Sequence, residues 1–172
     1  MDGKIGLEEH FALPETLQDS SGFLPPSAWP ELSSRLLDDG PRRLAEMDAN
    51  GMSMMILSLN APAVQAIEDP KRAAELARKA NDNLAEKIAR RRDRFRGLAA
   101  LPLQDPDMAA HELTRAIREL GFVGALANGF SQRAGHDGPV FYDLPEYRDF
   151  WSVCAALNVP FYLHPRNPLP QD

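Results

Sequence analysis

Three side chains stand where strand ends would let them do chemistry together. The segment Lys4-Ile5-Gly6-Leu7-Glu8-Glu9-His10 reads as a strand, and its period-two alternation puts Glu8 and His10 on one face at the C-terminal end. A carboxylate beside an imidazole is a donor pair for a divalent cation, although such residues at a strand end are more often just solvated. The segment Phe161-Tyr162-Leu163-His164-Pro165 ends a second apolar strand in a histidine. If the strands curve into a barrel, the first and the last lie across its mouth from each other. Glu8, His10 and His164 then form a Glu/His/His site, in which two imidazoles favour a first-row transition metal.

The elements that must position these residues follow an alternating α/β pattern with parallel strands. Five strands are predicted, at Lys4 to Glu8, Met54 to Leu59, Gly97 to Leu101, Phe122 to Ala127 and Pro160 to His164. Asp69-Pro70 is an N-cap followed by proline at the first helical position, and Ala73, Leu76, Ala77, Ala80, Leu84 and Ile88 then keep the spacing of a buried helical face. Asp105-Pro106 repeats the signal, with the stripe Ala109, Leu113, Ala116, Ile117, Leu120 and Gly121 as the closing glycine. Further helices are predicted over about 42–50, ending at Gly51, and about 146–157. Two stretches, Phe11 to Gly40 and Gly129 to Leu144, break the rhythm after strand C-termini, the end at which parallel α/β folds bind ligands. Nothing reads as an interdomain linker or an internal repeat.

Composition narrows the function classes. The chain has 172 residues, 44% hydrophobic and 26% charged, the proportions of a globular domain. Its 25 acidic and 19 basic residues give a formal charge of −6, and the basic residues are dispersed, which argues against a nucleic-acid partner. No apolar run is long enough to span a bilayer. Met1 opens no secretory leader and Cys154 is the single cysteine, so a reducing cytoplasm is the expected compartment. Gly-rich phosphate loops are missing, which argues against a nucleotide cofactor.

Four segments in order, Leu7-Glu8-Glu9-His10-Phe11, Ile56-Leu57-Ser58-Leu59-Asn60-Ala61-Pro62, Ala100-Leu101-Pro102-Leu103-Gln104-Asp105-Pro106 and Phe161-Tyr162-Leu163-His164-Pro165-Arg166-Asn167-Pro168, carry a resemblance to the γ-resorcylate (2,6-dihydroxybenzoate) decarboxylases of the amidohydrolase superfamily. The resemblance implies a (β/α)₈ barrel, one divalent ion (Zn²⁺ or Mn²⁺) without an organic cofactor, and reversible non-oxidative decarboxylation of a small aromatic acid. It also implies a homo-oligomer, a tetramer in relatives. Carried over by position, Glu8, His10 and His164 match the metal ligands. The family's remaining ligand, an Asp after the eighth strand that also serves as proton donor, has no counterpart in these 172 residues, nor has the His after the sixth. A complete barrel takes about 250 residues, so the whole chain is expected to be the N-terminal half of one, supplying the metal side of the reaction.

Around the metal, Phe23 is a candidate apolar wall, and Asn60 and Asn128, at the ends of the second and fourth strands, are candidate partners for substrate hydroxyls. Each has an equally good structural explanation as a turn or core residue. Glu9 points away from Glu8, His111 and His136 read as solvated, Arg166 as a salt-bridge residue and Cys154 as a small core residue. Two alternatives stay open. One is another reaction of the same superfamily, decarboxylation of a different acid or hydrolysis, the latter disfavoured because Glu8-x-His10 stands where those hydrolases carry His-x-His. The other is a complete flavodoxin-like binding domain, which leaves three strand ends occupied by Glu8, His10 and His164 without a reason.

Overall fold

The computed structural model describes residues 3–38 and 40–169. Strands β1 (Lys4–Phe11), β2 (Met52–Leu59), β3 (Phe95–Ala99), β4 (Gly124–Asn128) and β5 (Phe161–His164) form one parallel sheet in the order β1-β2-β3-β4-β5. Helices α1 (Trp29–Leu37) and α2 (Pro41–Ala49) connect the first two strands, α3 (Pro70–Arg90) the next, then α4 (Pro106–Arg118) and α5 (Arg148–Leu157). A flavodoxin-like sheet has the order 2-1-3-4-5. The sequential order seen here overturns that reading and fits five strands of a (β/α)₈ barrel curling in one direction.

Caps and stripes explain the helices. The Asp69 carboxylate accepts from the backbone N–H of Lys71 (2.8 Å) and Arg72 (3.3 Å), and Asp105 does the same for Asp107 and Met108 at 3.0 Å. Each cap contributes about 1 kcal/mol. Ala73, Ala77, Ala80, Leu84 and Ile88 of α3 and Ala109, Leu113 and Ala116 of α4 are buried against the sheet. The small residues set how closely the layers approach. A Cβ on Gly97 would lie 2.9 Å from Ile88 Cδ1 and 3.0 Å from Leu84 Cδ2, so only glycine lets α3 sit this near β3. A Cβ on Gly124 would meet the Pro160 carbonyl at 2.5 Å, where β5 enters the sheet.

Boundaries differ from the sequence reading for identifiable reasons. β3 stops at Ala99 rather than Leu101 because the Asn81 side chain takes both backbone groups of Ala100, accepting from its N–H (2.9 Å) and donating to its carbonyl (2.9 Å). β4 begins at Gly124 rather than Phe122 because the Phe122 N–H still closes α4 on the Ala116 carbonyl (3.0 Å). Helix α1 lies inside the stretch read as irregular, a stretch that holds Pro25, Pro26 and Pro30; the helix buries a single residue, Leu36. Cys154 is a buried free thiol, and burial pushes its pKa up to about 11, as suits a small core residue. Among the described residues no helix is long and apolar enough to cross a membrane.

Asn81 also donates to Glu112 (2.7 Å), whose carboxylate is paired with Arg115, so one buried amide joins α3, α4 and the end of β3. Asn81→Ala leaves the Ala100 groups without partners and lowers stability by about 2–4 kcal/mol, read as a shift of the urea unfolding midpoint; an unchanged midpoint shows that these groups find other partners.

Candidate metal centre

Register assigns the two faces of the sheet. Ile5 pairs Met54, His10 pairs Ser58 and Asn128 pairs His164 on the concave face, whereas Gly6–Met55, Glu9–Leu57 and Leu57–Gly97 lie on the face toward the helices. Between Gly6 and Glu9 the β1 strand advances three residues against two on β2, so Leu7 and Glu8 together oppose Ile56. This bulge reverses the phase of β1 and turns Glu8 to the concave face with His10.

Glu8, His10 and His164 each offer a ligand atom, and these atoms all lie within 4.8 Å of one another. Glu8 Oε1 is 3.3 Å from His164 Nε2, and the His10 and His164 rings meet edge to face with centroids 5.1 Å apart. Donors around one transition-metal ion at roughly 2.0–2.2 Å lie ~3–4.4 Å apart, depending on the angle between them, so the Glu8–His164 pair already has the spacing for one cation and the cluster as a whole must draw in to hold it. His164 turns Nε2 toward Glu8, while its other ring nitrogen, Nδ1, is buried without a hydrogen-bond partner among the described residues.

Neighbours that the sequence reading did not single out orient these donors. Ser58 Oγ lies 2.9 Å from His10 Nδ1, leaving Nε2 as the free ring nitrogen. Arg43 Nη2 donates to the His10 carbonyl at 2.8 Å and to the Arg35 carbonyl at 3.2 Å, fastening the end of β1 to the helices. The Tyr162 hydroxyl donates to Glu8 Oε2. That hydrogen bond, assisted by the nearby His164 and His10, holds the Glu8 carboxyl below its usual range against a smaller opposing effect of burial. Burial, with the charge of His164, pulls His10 down, opposed by Glu8. An ionised carboxylate and a neutral imidazole are the forms that bind cations.

The other candidates fall in different places. Asn60 is buried and its amide is committed: Nδ2 donates to the Thr16 carbonyl (2.7 Å) and Ser20 Oγ (2.8 Å), and Oδ1 accepts from Thr16 Oγ1 (2.7 Å). It therefore anchors the loop that leads to Phe23, which is itself 44% exposed. Asn128 donates to Gln65 Oε1 (3.1 Å), while its own Oδ1 is buried without a partner among the described residues. Arg166 departs from the salt-bridge reading: it donates to the carbonyls of Gln65 and Phe130 and stacks over the Phe130 ring at 4.2 Å. His111 and His136 are exposed.

Five parallel strands that alternate with helices and curl in one direction are half of a (β/α) barrel, with Glu8, His10 and His164 clustered at the strand C-termini. The chain belongs to the amidohydrolase family, whose model matches residues 23–171. Among its relatives, the gamma-resorcylate decarboxylase of Rhizobium radiobacter is 65% identical over 172 residues, all of this chain and 53% of that protein. The crystal structure of a dihydroxybenzoic acid decarboxylase from Polaromonas sp. JS666, with bound manganese and the inhibitor 2-nitroresorcinol, superimposes with a TM-score of 0.97 at 63% identity, covering 99% of this chain and 51% of that one. A manganese-bound 5-carboxyvanillate decarboxylase from Novosphingobium aromaticivorans has a TM-score of 0.86 at 32% identity, over 97% of this chain and 52% of that one. The chain spans about half the length of the curated relatives it matches.

Ser58→Ala removes the group that fixes the His10 ring and raises the dissociation constant for Mn²⁺ roughly tenfold, measured by calorimetric titration; unchanged affinity shows that packing alone orients the ring.

Proposed function

We propose that the protein acts in metal-dependent, non-oxidative decarboxylation of an ortho-hydroxybenzoate such as 2,6-dihydroxybenzoate, giving resorcinol and CO₂, with this chain supplying the metal-holding side of the site. The observation that carries the reading is the convergence of Glu8, His10 and His164 from the two edges of the sheet. The relatives' names and their manganese and nitroresorcinol ligands support it.

Direct loss of CO₂ from an aromatic ring leaves an aryl carbanion. A cofactor-free route first adds a proton to the ring carbon that bears the carboxylate, with electrons pushed from an ortho hydroxyl. The C–C bond then breaks, its electron pair restores the ring and CO₂ departs. Glu8, His10 and His164 would hold a manganese or zinc ion, which supplies positive charge for a phenolate and a template for the substrate. Asn128, register partner of His164 at the end of β4, is the candidate partner for a substrate hydroxyl. Asn60 acts one step back, holding the loop from which Phe23 would form an apolar wall.

The free thiol of Cys154 supports a reducing compartment. Self-association into a homo-oligomer is part of the same reading, carried by the resemblance to the decarboxylases alone. Light scattering on the purified chain is expected to give a mass above the monomer's; a stable monomer removes that part.

Metal analysis tests the main reading. Purified protein is expected to contain near-stoichiometric manganese or zinc, lost in Glu8→Ala and His164→Ala, and 2,6-dihydroxybenzoate is expected to bind only the loaded form. A well-folded protein that takes up neither metal overturns the reading.

A further inference from the structure

Tyr162 stands two residues before His164 on β5, so the strand that delivers an imidazole to the site delivers a phenol on the same face. Its hydroxyl donates to Glu8 Oε2, across the concave side from β5 to β1. The other carboxylate oxygen, Oε1, faces His164 Nε2 at 3.3 Å. The two oxygens of Glu8 thus have separate occupations, one bound to the phenol and one turned to the donor cluster. Glu8 needs such a restraint. Its side chain is 46% exposed and sits within the bulge of β1, so neither close packing nor a regular ladder fixes it.

We propose that Tyr162 is a positioning residue of the metal centre: by occupying Oε2 it holds Glu8 as a one-oxygen donor with Oε1 directed at the cation. This inference rests on the metal reading above. A carboxylate that binds through one oxygen takes one coordination position instead of two. The phenol therefore keeps one more position open for the two oxygens that an ortho-hydroxybenzoate presents. Its ring neighbour in register, Leu126, carries no polar group to replace it. The Glu8 hydrogen bond raises the pKa of the phenol, which keeps it a donor.

A double-mutant cycle on the full chain, with Mn²⁺ as the probe, tests the assignment. Tyr162→Phe retains the ring and is expected to raise the Mn²⁺ dissociation constant roughly 10–100-fold without changing the far-ultraviolet circular dichroism. In a Glu8→Gln background the same change is expected to cost less than about 2-fold, because the oxygen it restrains is already altered. Equal losses in both backgrounds overturn the proposal and make Tyr162 a tie between sheet edges. Infrared difference spectra of the wild-type chain on Mn²⁺ binding give an independent readout, since one-oxygen and two-oxygen carboxylate binding differ in the splitting of the carboxylate stretches. A one-oxygen pattern that disappears in Glu8→Gln is expected; a two-oxygen pattern overturns the proposal whether or not the variants fold. Tight Mn²⁺ binding that Tyr162→Phe leaves unchanged defeats the role of Tyr162 alone, whereas wild-type protein that binds no Mn²⁺ defeats the metal reading beneath it.

Discussion

The curl of the sheet is the constraint on which the site depends. β1 and β5 are separated by three strands, and a flat sheet with about 4.8 Å per step would hold them roughly 19 Å apart. Here a carboxylate from one touches an imidazole and a phenol from the other. The curl needs the convex face to accept helices at short range, and toward the C-terminal ends of β3 and β4 that face carries small residues. Gly97, Ala99, Ala125 and Ala127 meet a layer whose buried positions include Ala73, Ala77, Ala80, Ala109 and Ala116. Larger side chains there would push the helices outward and leave the edges apart.

Much of this architecture was legible in the residues. The Asp-Pro pairs announced α3 and α4 because capping is local, and the apolar stripes gave the faces because the helical period is fixed by geometry. Five parallel strands followed from the alternation of short and long apolar patterns. What local pattern does not carry is the order of strands in the sheet, so a flavodoxin-like arrangement stayed open until the pairing β1-β2-β3-β4-β5 removed it. Helix α1 escaped for another reason: it is a short helix that starts among Pro25, Pro26 and Pro30, whose turn signals mask it, and its place is fixed by neighbours such as the Arg35–Glu46 ion pair to α2.

The site was legible in its donors and much less in their supports. Glu8, His10 and His164 stood out because polar groups ended apolar strands. Ser58 and Tyr162 carried the same signal, being polar residues at concave positions, and period two from His164 points directly to Tyr162. Asn81 and Glu112 likewise interrupt apolar stripes, a sign of a buried hydrogen-bonded network. Asn60 and Arg166 are different. Their roles consist of bonds to Thr16, Ser20, Gln65 and Phe130, on loops far away in sequence, and no spacing rule anticipates contacts made by tertiary closure.

The phase of β1 shows how residues outside the site decide its geometry. Uninterrupted alternation from Gly6 would put Glu8 on the helix face with Gly6 itself. The bulge at Leu7–Glu8 inserts the extra residue that turns Glu8 inward and leaves Glu9 on the helix side. Gly6 makes room for that outcome: a Cβ there would lie 2.7 Å from Glu9 Oε1, so a side chain at position 6 would displace Glu9. Glu9 in turn faces the electrostatic field of half-buried Arg43, and Arg43 holds the carbonyl of His10. The inward aim of Glu8 and His10 is therefore set by a glycine, an outward carboxylate and a half-buried guanidinium, none of which offers a donor to the cluster. Period two places both donors on one face because regular alternation resumes at Glu8 and no further irregularity separates it from His10.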